Sequence, residues 1–413
     1  MTTNLIYLTP VCPTGCAYCF QDPDCLSLNN YDLDKVLDTV KKIYSNKQSM
    51  YDPLVLHGGE ICALPIKDIE YILKECTKIT PQNLRLQTST YKMTLDHIKL
   101  FKQYNVNVGI SVDGPPDLNI LRGPRDEKLN KEYQDNLIKC MQQMRDHNMD
   151  FGAIAVIHKA NASKDKVDIL LKWIVENKLN IRLNPMFLPF WAQDTDLKEM
   201  ELTPEEVSYV WKKAADCCLE HPDIGISPIR EFIDNLLGLA LSPCNVSRCD
   251  YVTTFVRSIL CDGNISRCDR CFQEGYYYRG ENQNFDRNEI LKQTECKDCK
   301  YFAVCAGGCP GETVDFDFRH KTRFCQAHYE LYEYLEKKIR GLFPNIILSI
   351  DVPNVYENFF SLNYPLPWYK NMLRSAWGKN SQIVTPEEIS DHENGFGRQL
   401  KNVSEDKKCG CGK

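Results

Sequence analysis

Between Asn4 and Phe187, short apolar runs alternate with longer stretches in which apolar residues recur every three or four positions. The runs are Leu5–Leu8, Leu54–His57, Leu84–Thr88, Val106–Val112, Phe151–His158 and Ile181–Met186. Each is rich in Val, Ile, Leu or Phe, as strands buried on both faces of a parallel sheet are. Helical periodicity fills the intervals at Leu33–Ser45, Asp68–Ile79, Leu95–Tyr104, Tyr133–His147 and Val167–Asn177, with Thr94 and Ser163 placed as N-caps. Strict strand–helix alternation predicts an α/β fold with right-handed crossovers, either a doubly wound sheet or a barrel. Both place ligands at the C-terminal ends of the strands.

Beyond the sixth unit the pattern changes. Leu188–Pro243 reads as a connecting region with helical stretches, including Pro204–Leu219 after a Thr203 cap. Cysteines crowd from Cys244 to Cys325, and a helix over Ala327–Arg340 carries Leu331, Tyr334 and Leu335 on one side. Aromatic clusters follow at Phe359-Phe360 and Tyr364–Tyr369, and the composition turns polar and acidic past Ser381. The expected segments are 1–190, 191–243, 244–340 and 341–413, without an internal repeat.

With 413 residues, 43% hydrophobic and 26% charged, the chain can bury a full core in more than one domain. The net charge of −6 comes without a block of like charges, so no nucleic-acid arm is expected. No apolar run approaches a membrane span and no secretion signal opens the chain, which predicts a cytoplasmic protein with no membrane partner. The 21 cysteines are the outlying number. An odd count in a long chain without a signal peptide argues against a disulfide framework and for metal.

Chemistry concentrates just after the first strand. Cys12, Cys16 and Cys19 form a C-x3-C-x2-C loop, and three thiolates on so short a loop can hold three irons of a [4Fe–4S] cluster. The fourth iron is then open, which separates a catalytic metal site from a structural one. The alternatives are a zinc knuckle or scattered structural thiols, but zinc prefers paired C-x2-C units with two further ligands. The second strand runs into His57-Gly58-Gly59-Glu60, where paired glycines permit close backbone approach and a carboxylate can accept from an ammonium group. An ordinary Gly-rich turn is the plain alternative.

The cysteine spacing together with this GGE sequence resembles the radical S-adenosylmethionine (radical SAM) enzymes. The resemblance implies a partial six-unit (β/α) barrel, a [4Fe–4S] cluster and SAM as cofactors. Tyr18 would lie against SAM and Gly58, Gly59 and Glu60 would meet its methionine amino group. Ser111, in Ser111-Val112-Asp113-Gly114, would contact the ribose, with Gln87 and Thr88 supplying polar contacts. Arg122 or Arg125 would reach the SAM carboxylate, and Ala155–Ile157 and Asn184 would fall on the adenine side. Each of these also has a plain reading as packing or a solvated charge.

The second cysteine set, Cys296-x2-Cys299-x5-Cys305-x3-Cys309-x15-Cys325 after Cys249-x13-Gly263-x4-Cys268, closely resembles the SPASM extension of radical SAM enzymes that act on peptides and proteins. It implies two auxiliary [4Fe–4S] clusters, three in all. Cys244, Cys249, Cys268 and Cys309 would hold one, and Cys296, Cys299, Cys305 and Cys325 the other. A pair of zinc ribbons is the alternative. Cys261 and Cys271 are extra to the pattern. Cys25, Cys62, Cys76, Cys140, Cys217 and Cys218 read as small buried hydrophobes, and Cys409-Gly410-Cys411 as a tail. Asp269 follows Cys268, where the related anaerobic sulfatase-maturating enzymes carry the base that deprotonates the substrate.

The leading expectation is a maturase that installs a C–C or thioether cross-link in a ribosomally made peptide. Oxidation of a protein Ser or Cys to formylglycine, as in the sulfatase-maturating enzymes, is the alternative. Leu56–Ile61 and Cys19-Phe20-Gln21 depart from that subgroup around shared motifs. A non-catalytic Fe–S electron carrier is the reading from another class. The first strand begins close to Met1, so no N-terminal leader-binding domain is expected. A reductant such as flavodoxin or ferredoxin is the expected second partner.

Overall fold

The computed structural model describes residues 2–19, 21, 31–46, 49–188, 195–237, 256–266, 287–314, 317 and 319–351. Six strand–helix units lead the chain. β1 (Thr3–Tyr7) precedes α1 (Leu33–Tyr44), β2 (Leu54–His57) precedes α2 (Ile66–Ile79), and β3 (Arg85–Thr88) precedes α3 (Leu95–Gln103). β4 (Asn107–Ser111) is followed by α4 (Glu127–Asp146). β5 (Phe151–Ile157) is followed by the single turn α5 (Lys159–Ala162) and then α6 (Val167–Glu176), and β6 (Asn180–Pro185) by α7 (Pro204–Glu220). Then come β7 (Ile226–Ser227), α8 (Ile229–Leu236), β8 (Val256–Ile259), β9 (Ile265–Ser266), α9 (Arg287–Gln293), α10 (Phe302–Cys305) and α11 (Cys325–Leu342).

The sheet order is β7-β6-β5-β4-β3-β2-β1-β8-β9. Every pairing is parallel except the closing β8–β9 hairpin. The order runs monotonically from β1 to β7, so each crossover steps the same way, as in a barrel. A doubly wound sheet reverses direction instead.

Alternation along the strands defines two faces. Ile6, Leu54, Leu56, Leu86, Val108, Ile110, Ala155, Ile157 and Leu183 are buried in one core with Val36, Leu37, Ile69, Ile72, Ile98, Phe101, Leu137, Leu170 and Ile174 of the helices. Each such side chain contributes about 1.5–3 kcal/mol on burial. The intervening residues Leu5, Val55, His57, Gln87, Gly109, Ser111, Ile154, Val156, Arg182 and Asn184 are only half-buried and largely polar. A parallel sheet is ordinarily covered on both faces. This one keeps a polar face accessible, with room for a ligand.

Several boundaries differ from the sequence expectations. α4 starts at Glu127 rather than Tyr133, because Asp126 caps it by accepting from the Leu129 N–H at 2.9 Å while its first turn is polar and shows no apolar period. Thr94 does cap α3, its own N–H donating to His97 Nδ1 at 3.2 Å. Ser163 does not cap α6. It ends α5, its hydroxyl donates to Asp165 at 2.6 Å, and Lys166 occupies the cap position. On α11 it is Tyr332, fully buried, that joins Leu331 and Leu335 in the core, while Tyr334 is partly buried and donates to Asp216. β8 was not foreseen. It lies within the stretch assigned to the cysteine-rich segment yet pairs along β1, from Thr3 opposite Val256 to Ile6 opposite Ile259. Gly263, at φ +83°, turns the β8–β9 hairpin against α1, where Thr39 donates to its carbonyl at 2.7 Å. Among the described residues no helix is long and apolar enough to cross a membrane.

Candidate active site

The cysteine loop follows β1 at the C-terminal edge of the sheet and is fastened there by three neighbouring strand ends. The Gly59 N–H donates to the Thr9 carbonyl at 2.7 Å and the Glu60 N–H to the Val11 carbonyl at 2.8 Å. The Ala17 N–H donates to the Leu121 carbonyl at 2.9 Å, after β4. Thr14 is fully buried with its hydroxyl 2.8 Å from that of Ser89, just past β3. The glycines of the GGE sequence serve this contact. A Cβ on Gly59 would lie 2.3 Å from the Val11 oxygen, and one on Gly58 would lie 2.7 Å from the Thr9 oxygen. The close approach they permit is between the two motifs of the same chain.

Glu60 is fully buried and its carboxylate is saturated by protein donors. Oε1 accepts from Thr88 Oγ1 at 2.6 Å and from the Cys62 N–H at 2.9 Å, while Oε2 accepts from the Ser89 N–H at 2.7 Å and from the Ser89 hydroxyl. With the Ser89 proton spent on Glu60, Thr14 is the donor in its pair with Ser89. Four donors fill a carboxylate's usual acceptor sites. The side chain therefore braces the strand ends, and an ammonium contact at this motif falls to its backbone.

A second hub lies beneath the loop. Asp113, fully buried at the end of β4, accepts from Arg122 Nε at 3.1 Å, Arg122 Nη2 at 2.9 Å, the Val156 N–H at 2.8 Å and the Tyr18 hydroxyl. Burial, the largest single effect, would raise its pKa, but the Arg122 charge, His158 and the hydrogen bonds together outweigh it and hold the carboxyl at about 2. The Arg122 guanidinium lies over the Tyr18 ring at 5.5 Å, and the His158 ring packs against the same Tyr18 ring at 5.5 Å between centroids. Among the described residues neither His158 nitrogen has a hydrogen-bond partner, and Nε2 stands 3.8 Å from Asp113. Tyr18 is thereby pinned by its hydroxyl and clustered with Met186 and Leu188.

Of the other sequence candidates, Gln87 and Ser111 meet each other, Gln87 Nε2 donating to Ser111 Oγ at 2.9 Å on the accessible face. Asn184 lies on that face and accepts from Arg182 Nε at 3.1 Å. Arg122 is committed to Asp113, and Arg125 is exposed. The sequence reading passed over Asp113, Ser89, Thr14 and His158 as site residues. The available signal was their position, since Ser89, Asp113 and His158 immediately follow strands whose ends face the cysteine loop.

The loop thiols have the chemistry of iron–sulfur ligands, although among the described residues no group of three or more His, Cys, Asp or Glu side chains is gathered closely enough to hold a single metal ion. Burial pushes Cys12 up to about 11, Cys19 up to about 12, and Cys16 upward as well, each aggravated by a neighbouring cysteine or carboxylate. Three thiols that resist ionisation together are a place where bound metal cations supply the missing positive charge. In the second set, Cys305 lies within electrostatic reach of Cys296, Cys299 and Cys325, and Cys296 of Cys299 and Cys325. These are the four assigned to one cluster. Cys309 is buried and opens the turn Pro310–Glu312. The Ala306–Gly308 carbonyls between Cys305 and Cys309 are gathered by the buried Arg287, at 3.0–3.2 Å. Cys244, Cys249, Cys268, Cys271 and Asp269 lie outside the described residues, as do Cys25, Cys409 and Cys411. Cys62, Cys76, Cys140 and Cys217 are buried as expected, and Cys218 is partly so.

Residues 6–168 match the radical SAM superfamily. The chain is a radical SAM enzyme. It is 22% identical over 370 residues to a cysteine-type anaerobic sulfatase-maturating enzyme of Clostridium perfringens, covering 81% of this chain and 96% of that relative. A serine-type anaerobic sulfatase-maturating enzyme of Bacteroides thetaiotaomicron is 29% identical over 375 residues, covering 79% and 87%. Among solved structures, native anSMEcpe with bound AdoMet and Cp18Cys peptide superposes with a TM-score of 0.67 at 20% identity, over 84% of this chain and 99% of that one. The likeness of fold to that structure thus extends past residue 168. SAM and a [4Fe–4S] cluster are the cofactors that this superfamily implies.

Proposed function

We propose that this radical SAM enzyme oxidises a cysteine or serine of a peptide or protein to formylglycine. The observation that carries the reading is the extent of the likeness to cysteine-type and serine-type sulfatase-maturating enzymes, which reaches far beyond residue 168. It supports formylglycine formation over the cross-link expected from sequence. Cys12, Cys16 and Cys19 hold the cluster with the open iron, and the backbone of Gly58–Glu60 lies beside it. The cluster and SAM supply, when bound, a radical able to remove a hydrogen atom from the substrate. The chain's part is to hold the loop rigid through Glu60 and Asp113, to keep water out, and to present the substrate along the half-buried face of the sheet. Cys296, Cys299, Cys305 and Cys325 form one auxiliary cluster of a SPASM domain, and Cys244, Cys249, Cys268 and Cys309 the other, giving three clusters to carry the second electron away. Asp269 is the proposed base, and flavodoxin or ferredoxin the proposed electron donor.

The test is anaerobic turnover of the reconstituted enzyme with SAM, dithionite and cysteine- or serine-containing peptides. A hydrazide-trappable aldehyde should appear with 5′-deoxyadenosine, and both should vanish when Cys12, Cys16 and Cys19 are all changed to Ala. A product that loses two hydrogens, carries no aldehyde and resists fragmentation within a ring would replace this reading with cross-linking.

A further inference from the structure

A cavity of about 390 Å³ opens on the accessible face, lined by Gln87 and Gly109 of β3 and β4, Gly152–Ile154 of β5, Asn180–Arg182 of β6, and Gly225, Ser227 and Arg230 around β7. That volume falls within the roughly 300–1,000 Å³ of ligand pockets. Two features shape it. At Gly109 the Gln87 side chain lies across the strand, 2.3 Å from where a Cβ would stand, whereas at Gly152 an added Cβ would meet nothing nearer than the Asn180 backbone oxygen at 3.6 Å, so the space there is open.

The cavity's chemistry is that of a donor site. Arg182 is neutralised by Glu231 at 2.9 Å, and that same carboxylate accepts from the Ser227 hydroxyl at 2.8 Å. The Asn180 side-chain oxygen Oδ1 accepts from the Gly225 N–H at 2.7 Å. Arg230 lies across Gly225, whose added Cβ would sit 2.8 Å from the guanidinium. Among the described residues Arg230 has no ion pair and no hydrogen bond. One positive charge therefore remains uncompensated at the rim of a pocket whose nearest carboxylate is already shared.

We propose that this cavity is a substrate subsite that takes a carboxylate, either an Asp or Glu side chain or the C-terminus of the substrate peptide, with Arg230 as the specificity-determining residue. A guanidinium pairs a carboxylate bidentately. The placement also gives a register. Arg230 lies over Gly225 beside Asn180, which pairs with Gly152, five residues before Ile157 where β5 ends, so the subsite is about 16 Å from the cysteine end of the sheet at roughly 3.3 Å per residue. An extended substrate would then carry the acidic group about five residues from the one that reacts. The inference rests on the reading of this chain as an enzyme acting on peptides. It narrows the substrate class to peptides acidic near the target.

The experiment measures binding rather than turnover, so that it stands apart from the fate of the formylglycine reading. Fluorescein-labelled, C-terminally amidated peptides with one Cys and one Asp, walked through the flanking positions, are titrated into reconstituted holoenzyme with SAM. Their Asn counterparts, and Asp-free peptides with free C-termini, form the comparison arms. The Asp peptide at the right offset should bind about tenfold or more tightly than its Asn twin. Arg230→Gln should bring the ratio to about one, and Arg230→Lys should keep part of it. Arg230→Glu should favour a Lys-bearing peptide, a gain that an unfolded variant cannot show. A preference for free over amidated C-termini, lost in Arg230→Gln, assigns the same site to the terminal carboxylate. Equal binding of Asp and Asn peptides together with equal binding of free and amidated ends overturns the proposal. Discrimination without aldehyde formation leaves the subsite standing and overturns the formylglycine reading alone.

Discussion

The buried carboxylate of Glu60 accepts the backbone N–H of Ser89 at 2.7 Å, tying the end of β2 to the end of β3. Ser89 in turn meets Thr14 in the cysteine loop at 2.8 Å. The GGE acid thus reaches the cysteine loop through the hydroxyls of Ser89 and Thr14. This chain of contacts holds the cysteine loop against the strand ends.

Glu60→Gln keeps the shape but sets an amide NH2 against two of the four donors. It should cost about 1–3 kcal/mol, the usual penalty for a buried donor left unmet. Urea unfolding gives that number, and iron per chain after reconstitution should fall with it. A variant of wild-type stability and iron content would show that the carboxylate does not brace the loop.

Gly59→Ala tests the contact between the two motifs. The new Cβ would stand 2.3 Å from the Val11 oxygen and 2.6 Å from the Pro10 oxygen, so the loop must move. Deoxyadenosine formation should fall on the order of a hundredfold, as misplacement of about 1 Å costs. Gly341→Ala on α11 meets nothing within 4 Å and should instead stabilise by up to about 1 kcal/mol. Rates of SAM cleavage and thermal midpoints of both variants decide the matter.

Asp113 should make stability depend on acid. Its carboxyl sits at about 2 in the folded chain, below the ordinary value of 3.8, so its contribution is complete above pH ~4 and is lost as the pH falls through 2. Asp113→Asn leaves Arg122 buried without its partner and should cost on the order of 3–5 kcal/mol at pH 7. The gap between wild type and variant should narrow by about 2 kcal/mol between pH 4 and pH 2. Denaturant unfolding across that range measures it, and a constant gap would remove Asp113 as the source.

Much of the barrel was legible because its physics is local. Parallel strands under helices must be apolar, and Leu54–His57 or Phe151–Ile157 announce themselves by composition alone. Caps such as Thr203 show as well, since its partner Glu206 is three residues away and the two bond reciprocally. What failed was local too. Polar first turns hid the start of α4, and Ser163 offered a cap to a helix that begins beyond its reach.

The chain by itself determined which residues could bind metal and where in each unit they fall, because thiol spacing and strand ends are properties of neighbouring residues. It also determined that six apolar strands would alternate with helices, while their order in the sheet was decided by the tertiary structure. Only the tertiary structure decided what the motifs do to one another. Gly59 is needed because Val11 passes over it, Glu60 is spent on Thr88, Ser89 and Cys62, and Arg122 belongs to Asp113. Likewise β8, more than two hundred residues from β1, joins its edge. Such pairings are set by distance in space, and in a buried, low-dielectric site every donor and charge must find a partner wherever the chain brings one.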